Sequence, residues 1–183
     1  MVCIVLNGKR LPHSEVLVER LQRVEGMVSV VLNVNREKTN VILGRKIITL
    51  WGKDTITDSL DGIEFEISPL SFYQVNPVQT EVLYKKAVEL ADLKGDETVL
   101  DLYCGIGTIS LFFARKARQV FGVEIVPEAL QTRGKTRSET VSRTQPLPSA
   151  RRRRVIPELY REEGIAADVV VVDPPRKGCD TRL

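Results

Sequence analysis

The most prominent pattern in the 183-residue chain is a set of short apolar runs that each end at an acidic residue. The runs cover residues 98–101, 120–124 and 168–173, and they end at Asp101, Glu124 and Asp173. Continuous apolar runs of this length are typical of strands buried on both faces of a parallel sheet. After the first run, a turn with two glycines leads into apolar residues 109–114. The pattern predicts a strand, a tight turn and a helix start, the layout of a nucleotide or adenosyl site.

The two glycines of this turn, Gly105 and Gly107, let the backbone bend and approach a ligand, because neither carries a Cβ. The motif is not the full G-x-G-x-x-G of dinucleotide folds, since Ser110 stands at the third glycine position. A strand-to-helix turn without a ligand is therefore the alternative. Two later features argue against it. Glu124 ends the second run, and such an acid commonly binds ribose hydroxyls in doubly wound folds. The third run is a further buried strand that ends at an acid, Asp173.

Residues 1–70 show a different pattern, in which shorter β-branched runs alternate with turn residues. The runs predict strands over residues 2–6, 27–34, 41–51, 55–59 and 63–68. Ser14 is predicted to cap a helix over residues 15–24, and Asp61-Gly62 predicts a hairpin turn between the last two strands. We therefore expect a small, mostly antiparallel α+β domain over residues 1–70.

A junction, Phe72-Tyr-Gln-Val-Asn76, opens the second predicted domain, which covers residues 71–183. Pro77 suits the first turn of a helix, which we expect to continue to about Ala91. The apolar face of this helix is predicted to consist of Val82, Leu83, Ala87, Val88 and Leu90. Taken alone, Gln74 fits a solvated junction residue better than a ligand contact.

The composition is that of an ordinary soluble protein, with 43% hydrophobic and 28% charged residues and enough length for one full core. No apolar run approaches the length of a membrane span, and the N-terminus lacks a signal-peptide pattern. The three cysteines are scattered, which argues against a disulfide framework, a metal site or an iron–sulfur cluster and suits a reducing cytoplasm. His13 lies beside Pro12 and is interpreted as a surface or capping residue.

Four motifs occur in a characteristic order along the chain. They are Ser71-Phe-Tyr-Gln-Val-Asn76, Asp101-Leu-Tyr-Cys-Gly-Ile-Gly107, Val123-Glu124 and Asp173-Pro-Pro-Arg-Lys-Gly178. Together they resemble the S-adenosylmethionine-dependent methyltransferases and, more narrowly, the RNA uracil-C5 methyltransferases. The resemblance covers residues 11–127 and continues from residue 155 onward. It implies an α/β fold, with an incomplete Rossmann-like class I methyltransferase domain that follows a small α+β central domain.

The resemblance implies S-adenosylmethionine as the cofactor and assigns eight residues to it. They are Gln74, Asp101, Tyr103, Gly105, Gly107, Thr108, Glu124 and Asp173. In the family pattern Glu124 takes the ribose, Gln74 the amino-acid end or nearby polar groups, and Asp173 the edge of the cofactor–substrate cleft. Packing and helix capping are the alternative roles of Tyr103 and Thr108.

The acceptor chemistry also follows from the resemblance. Enzymes of this family add a cysteine thiolate to uracil C6, which makes C5 nucleophilic enough to attack the methyl group. The family places that cysteine in a Ser-Cys-Asn-Pro-like segment well after the Asp-Pro-Pro-Arg turn, and its glutamate base later still. Neither group falls within residues 1–183, and Cys104 and Cys179 are not at the nucleophile position. We therefore expect a chain truncated at both ends relative to the family, without catalytic residues and without turnover by itself.

Arg176 is a substrate-side candidate, because amino-directed methyltransferases carry an aromatic residue at this position to stack on a flipped base. Arginine there favours the uracil-C5 family. We expect RNA, more narrowly ribosomal RNA, as the partner of a cytoplasmic monomer. The alternatives are a class I methyltransferase with another acceptor and a non-catalytic RNA-binding module, which would bind RNA with a steep salt dependence and no cofactor.

Residues 131–154 differ in composition from the rest of the chain, with eight Lys and Arg against one acid. The segment predicts disorder, because it cannot provide the apolar face that a helix or buried strand needs. A basic RNA-binding insertion and a solvated loop are two explanations. The third, which we favour, is a reading-frame slip between two compensating changes, because the sequence on both sides is family-like. Translation of the neighbouring frame tests the slip, and the absence of a helix-then-strand pattern there would exclude it.

Overall fold

The computed structural model describes residues 1–8, 10–38, 41–123, 144–146, 160–161, 164–174 and 178–179. The elements in chain order are β1 (Val2–Leu6), α1 (Ser14–Leu21), β2 (Ser29–Val34), β3 (Lys46–Gly52), β4 (Ile56–Leu60), β5 (Ile63–Ile67), α2 (Pro77–Leu90), β6 (Thr98–Asp101), α3 (Thr108–Ala114), β7 (Gln119–Gly122), β8 (Thr144–Pro146) and β9 (Val169–Val171). Two compact units are formed, Met1–Asp58 with Glu66–Ser71 and Ser59–Phe65 with Phe72–Leu183. The domain boundary expected near residue 70 stays a prediction.

The first unit contains a three-stranded sheet in the order β1-β2-β3. β2 pairs antiparallel with β3 but parallel with β1, so the expectation of a mostly antiparallel unit is wrong for β1. β2 is the buried strand, because it has a neighbour on each side. Its fully buried Asn33 side chain donates to the carbonyl of Gly44 at 2.6 Å and accepts from the amide of Gly44 at 2.7 Å. These two bonds satisfy a buried amide as a backbone partner would.

Asp61 and Gly62 form the hairpin turn that the sequence predicts. Both residues have a positive φ, 49° and 76°. That pair of values is the backbone requirement of a type I′ turn, which Asp-Gly satisfies at low cost. The strands on either side, β4 and β5, form a two-stranded sheet, and the hairpin prediction is confirmed.

The second unit contains a parallel four-stranded sheet in the order β8-β7-β6-β9. Leu100 of β6 lies beside Phe121 of β7 and beside Val170 of β9. Leu100 and Phe121 belong to one apolar cluster on their face of the sheet. Successive residues of a strand point to opposite faces, so Val99 and Asp101 lie on the other face. The parallel α/β sheet predicted from the apolar runs is confirmed.

β9 is less buried than the sequence predicts. Val170 is 49% exposed and Val172 is 48% exposed, although a fully buried strand was expected over residues 168–173. Val170 and Val172 are two positions apart and therefore share one face of the strand, which is more exposed than the face of Val169 and Val171. Asp168 fixes its register on β6, because its carboxylate accepts from the Thr98 amide at 2.8 Å and its own amide donates to the Thr98 carbonyl at 2.9 Å.

β8 lies inside the basic segment 131–154, for which we expected neither helix nor strand. That expectation is wrong for Thr144–Pro146, which pair in parallel with β7. β8 is at the edge of the sheet that the described strands form. An edge strand forms backbone hydrogen bonds with one neighbour only, so it tolerates a proline. The other residues of the segment, and with them the frame-slip hypothesis, lie outside the described residues.

α1 begins one residue earlier and ends three residues earlier than predicted. His13, not Ser14, occupies the cap position, with φ 53° and no side-chain cap hydrogen bond. The prediction of a Ser14 cap is therefore wrong, whereas His13 as a surface or capping residue is confirmed. None of the residues of α1 is buried, so the expected apolar stripe does not form a core contact.

α2 has the predicted bounds but a different buried face. The Asn76 side chain caps it by accepting from the amide of Gln79 at 3.1 Å, and Pro77 occupies the first turn. The buried residues of α2 are Thr80, Tyr84 and Val88. The predicted Val82, Leu83 and Leu90 are exposed. Residues spaced by four lie on one helix face, so a face with two polar groups, rather than the most apolar one, packs inward.

An ion cluster in the second unit ties the hairpin turn to α2 and to the end of α3. The Asp61 carboxylate lies 2.8 Å from Lys85 Nζ and contacts the Arg115 guanidinium, which also donates to the Asp61 carbonyl at 2.5 Å. The Lys85 hydrogen bond, and then that of Arg115, hold the pKa of Asp61 below its ordinary value.

We expect an Asp61→Asn variant to melt about 1 to 3 °C below the wild type at neutral pH, because exposed ion pairs contribute little. A carboxyl group with a lowered folded pKa stabilises the fold above its unfolded pKa of about 3.9, and this contribution disappears as the pH falls through the folded value. The difference between the two melting temperatures should therefore vanish towards about pH 2. Thermal unfolding across this range checks it, with exposed Asp96→Asn as control, and a difference that grows on acidification would contradict it.

Candidate functional site

Backbone hydrogen bonds fix the turn between β6 and α3 at the carboxyl edge of the parallel sheet. The amide of Leu102 donates to the carbonyl of Val171 at 3.1 Å, and the amide of Cys104 donates to the carbonyl of Val123 at 3.1 Å. The turn is thereby tied to the ends of both neighbouring strands. A rigid loop at this edge is where open α/β sheets bind ligands.

The two glycines of the turn have the backbone conformations that the sequence predicts. Gly105 has φ 54° and Gly107 has φ 91°, values in the left-handed region that side chains with a Cβ rarely adopt. A Cβ added to Gly105 would meet no other described atom within 4 Å. The space beside Gly105 is therefore open, and it is available to a ligand.

A cavity of about 40 Å³ lies against this turn. Five of the eight predicted cofactor residues line it, namely Gln74, Tyr103, Gly105, Thr108 and Asp173. A volume of this size holds about one water molecule. A larger ligand would therefore place one group in the cavity and extend outward past the exposed carboxylate of Asp173.

Asp101 is placed differently from the other candidates. Its side chain is fully buried and does not line the cavity. The hydroxyl of Ser110, on α3, donates to Asp101 Oδ2 at 2.5 Å, and the amide of Tyr103 donates to Oδ1 at 3.4 Å. In this geometry Asp101 ties β6 to α3 and to the turn between them. Its assignment as a cofactor contact stays a prediction.

Gly107 is likewise absent from the cavity lining. It occupies the cap position of α3, where its amide donates to the carbonyl of Cys104 at 2.7 Å and its carbonyl accepts from the amide of Leu111 at 3.1 Å. Gly107 therefore sets the start of the helix. Glu124 and Arg176 lie outside the described residues.

The sequence analysis missed six residues that line the cavity. They are Phe72, Tyr73, Tyr84, Cys104, Ile106 and Ile109. Phe72, Tyr73, Cys104 and Ile106 lie within the quoted motifs and could have been found there. Ile109 lies just after the glycine turn. Tyr84 belongs to no motif, and only its place four residues before Val88 and four after Thr80 marks it as part of a helix face.

Tyr84 is 3% exposed, and its hydroxyl lies 3.0 Å from Thr108 Oγ1. Its ring packs edge-on against Phe112 of α3, with 5.3 Å between the ring centroids. Burial raises the pKa of Tyr84 against the effect of the Thr108 hydrogen bond, and the carboxylates of Asp173 and Asp101 raise it further. The phenol is therefore neutral at physiological pH and able to donate.

The polar groups around the cavity define what it can bind. Gln74 offers an amide, Asp173 a carboxylate, and Tyr103 and Thr108 hydroxyl groups. This set suits a neutral or cationic ligand that carries amine and hydroxyl groups. Among the described residues, no group of three His, Cys, Asp or Glu side chains could hold a metal ion.

None of the helices in the described part of the chain has both the length and the apolar character that a membrane crossing needs. Cys104 is buried in the turn, where a thiol packs as a small apolar group, and Cys179 is exposed.

Sequence comparison places the chain among bacterial RNA methyltransferases. It is 53% identical over 184 residues to an uncharacterized RNA methyltransferase of Clostridium tetani and 50% identical to one of Listeria monocytogenes, and each match covers the whole chain. The chain belongs to this RNA methyltransferase family. It spans 40% of the length of these two relatives. No family model matches the chain.

A solved structure agrees with this assignment to the RNA methyltransferases. The tRNA (uracil-54, C5)-methyltransferase of Pyrococcus abyssi, in complex with S-adenosyl-L-homocysteine, matches 98% of the chain and 41% of its own chain. The TM-score is 0.67 and the sequence identity is 26%. The Rossmann-like methyltransferase fold, and the family resemblance drawn from the four motifs, are confirmed.

Proposed function

We propose that the chain forms the cofactor-binding part of an S-adenosylmethionine-dependent methyltransferase that modifies C5 of uracil in RNA. Ribosomal RNA is the proposed substrate, and a cytoplasmic monomer the proposed form. The observation that carries the proposal is the cavity at the carboxyl edge of β6 and β9, because five of the eight predicted cofactor residues meet there. The likeness to a uracil-C5 methyltransferase that holds the demethylated cofactor supports it.

The residues around the cavity fit S-adenosylmethionine. Asp173 offers a carboxylate to the ammonium group of the cofactor, Gln74 offers an amide to its amino-acid end, and the open side of Gly105 leaves room for close approach. When bound, this cofactor supplies a methyl group on a sulfonium, which needs no acid–base help to leave. The contribution of the chain is to bind the donor, exclude water and hold the methyl group in line with the acceptor.

The acceptor half of the reaction needs a second set of groups. A thiolate adds to C6 of uracil, which makes C5 nucleophilic enough to attack the methyl group. A base then removes the C5 proton as the thiolate leaves C6. The 183 residues contain no Ser-Cys-Asn-Pro-like segment. Cys104 is buried within the turn and does not serve as the nucleophile. We therefore expect the 183-residue polypeptide to bind the cofactor and not to methylate RNA.

Calorimetric titration of S-adenosylhomocysteine into the folded chain tests the cofactor site. We expect saturable binding, weakened about tenfold or more by Asp173→Asn, because the variant loses a charge-assisted contact. Asp96→Asn is the matched control, since Asp96 is exposed and does not line the cavity. A folded chain that binds RNA with a steep salt dependence but no cofactor would instead support an RNA-binding module.

Mass spectrometry of the product base tests the acceptor. With the Clostridium tetani relative as enzyme, we expect 5-methyluridine in ribosomal RNA and none with the 183-residue polypeptide. Modification in tRNA instead would favour a tRNA substrate, in line with the substrate named for the Pyrococcus enzyme. A methylated base other than uracil would overturn the uracil-C5 proposal.

A further inference from the structure

Tyr84 is a buried cavity residue that belongs to no methyltransferase motif of the chain. It lies on α2, whereas Thr108 is the first residue of α3, directly after the turn that follows β6. We propose that Tyr84 is a positioning residue for the cofactor, and that it acts through the hydroxyl group of Thr108. This inference rests on the proposed function, because it concerns the same cavity.

The geometry confines the Tyr84 hydroxyl to one place. Its ring packs edge-on against Phe112, and only 3% of the residue surface is exposed. The hydroxyl lies 3.0 Å from Thr108 Oγ1, 24 residues along the chain. A threonine hydroxyl otherwise rotates to suit its surroundings. The contact with Tyr84 therefore restricts the orientations open to the Thr108 hydroxyl in the cavity wall.

The direction of the hydrogen bond decides what Thr108 can offer. Burial and the carboxylates of Asp173 and Asp101 raise the pKa of Tyr84, so the phenol keeps its proton. When Tyr84 donates to Thr108 Oγ1, the proton of Thr108 is free to be donated to a ligand. In that direction the Tyr84 hydroxyl restricts the rotation of the Thr108 hydroxyl and leaves its proton to a ligand, which lowers the entropic cost of binding.

A Tyr84→Phe variant removes this hydroxyl and keeps the ring against Phe112. We expect S-adenosylhomocysteine to bind about three- to tenfold more weakly, the effect of one lost hydrogen bond. Thr108→Val, which removes the partner hydroxyl, should weaken binding by at least as much. Because Tyr84 acts through Thr108, the double variant should bind no more weakly than Thr108→Val alone.

A matched control separates positioning from loss of stability. Val88 is buried on the same face of α2, one turn after Tyr84, and does not line the cavity. Val88→Ala should lower the melting temperature at least as much as Tyr84→Phe and leave the dissociation constant unchanged. If Val88→Ala weakens binding as much as Tyr84→Phe does, helix stability explains the effect and the positioning role is overturned.

The remaining outcomes distinguish this inference from the proposed function. Wild-type binding with an unchanged Tyr84→Phe dissociation constant would overturn the role of Tyr84 and leave the cofactor site intact. Additive effects of the two variants would show that Tyr84 acts independently of Thr108, which also overturns the inference. A folded wild-type chain that binds no S-adenosylhomocysteine would overturn the cofactor site, and the positioning role with it.

Discussion

An Asp101→Ala variant is expected to lose about 2 to 3 kcal/mol of unfolding free energy and all measurable binding of S-adenosylhomocysteine. The Asp101 carboxyl group is fully buried and accepts from the Ser110 hydroxyl at 2.5 Å. Its removal leaves that buried hydroxyl without this acceptor and breaks the tie between β6 and α3. Because Thr108 begins α3 and lines the cavity, the variant moves the cavity wall. Chemical denaturation and calorimetric titration measure the two effects.

Two companion variants test the cause of this loss. Ser110→Ala removes the donor of the same hydrogen bond and should cost about 1 to 2 kcal/mol. Asp101→Asn keeps an oxygen that accepts from Ser110, so its loss of stability should be smaller than that of Asp101→Ala. An Asp101→Ala variant with wild-type stability and no binding would contradict this explanation, and it would identify Asp101 as a direct cofactor contact.

A Gly105→Ala variant is expected to bind S-adenosylhomocysteine at least about tenfold more weakly while losing only about 1 to 2 kcal/mol of stability. The backbone of Gly105 has φ 54°, which alanine adopts at a cost. The added Cβ would meet no described atom within 4 Å, so packing adds no further penalty. The methyl group would instead occupy the space beside the cavity that a bound cofactor needs. The dissociation constant from calorimetry is the deciding measurement.

Gly26→Ala is the matched control for this variant. Gly26 has φ 77°, an added Cβ there also meets nothing within 4 Å, and the residue does not line the cavity. We expect a similar loss of stability and an unchanged dissociation constant. Equal binding by Gly105→Ala and the wild type would show that the cofactor does not approach this part of the turn.

Strand β6 and the turn after it could be predicted because the residue types within each stretch specify its backbone conformation. The run before Asp101 is apolar at every position but its first, so it can be buried on both faces of a sheet. The glycine spacing after it permits backbone conformations that other residues avoid, and both glycines have them. Asp61-Gly62 predicted a hairpin turn for the same reason.

The inner face of α2 could not be predicted by ranking its residues by hydrophobicity. Thr80 and Tyr84 are less apolar than Val82 and Leu83, yet they are the buried ones. The hydroxyl of Thr80 donates to the carbonyl of Asn76 at 2.7 Å, and that of Tyr84 meets Thr108. The partner of Thr80 is a carbonyl at the start of the same helix, whereas the partner of Tyr84 is set by the tertiary fold. Both contacts remove the cost of burying a polar group.

The contacts of Asp101 at the candidate site could not be predicted from the sequence either. An acid at the end of a buried strand fits a ligand contact and a structural acceptor equally well in the sequence. The choice depends on the Ser110 hydroxyl, nine residues later, which reaches Asp101 only because the turn reverses the chain. The sequence pattern therefore named five residues that line one cavity, but it did not specify the contacts of Asp101.

The pairing of β6 with β9 has a consequence for the order in which the chain folds. Thr98 and Asp168 are joined by hydrogen bonds across 70 residues of sequence. Closing so long a loop costs entropy before any contact repays it, and contacts of high sequence separation slow folding. During synthesis on the ribosome the N-terminal part emerges first, so β6 cannot pair with β9 until β9 has been made. The wall that Asp173 contributes is thus completed late, and a nascent chain acquires the whole cavity only after that residue has been made.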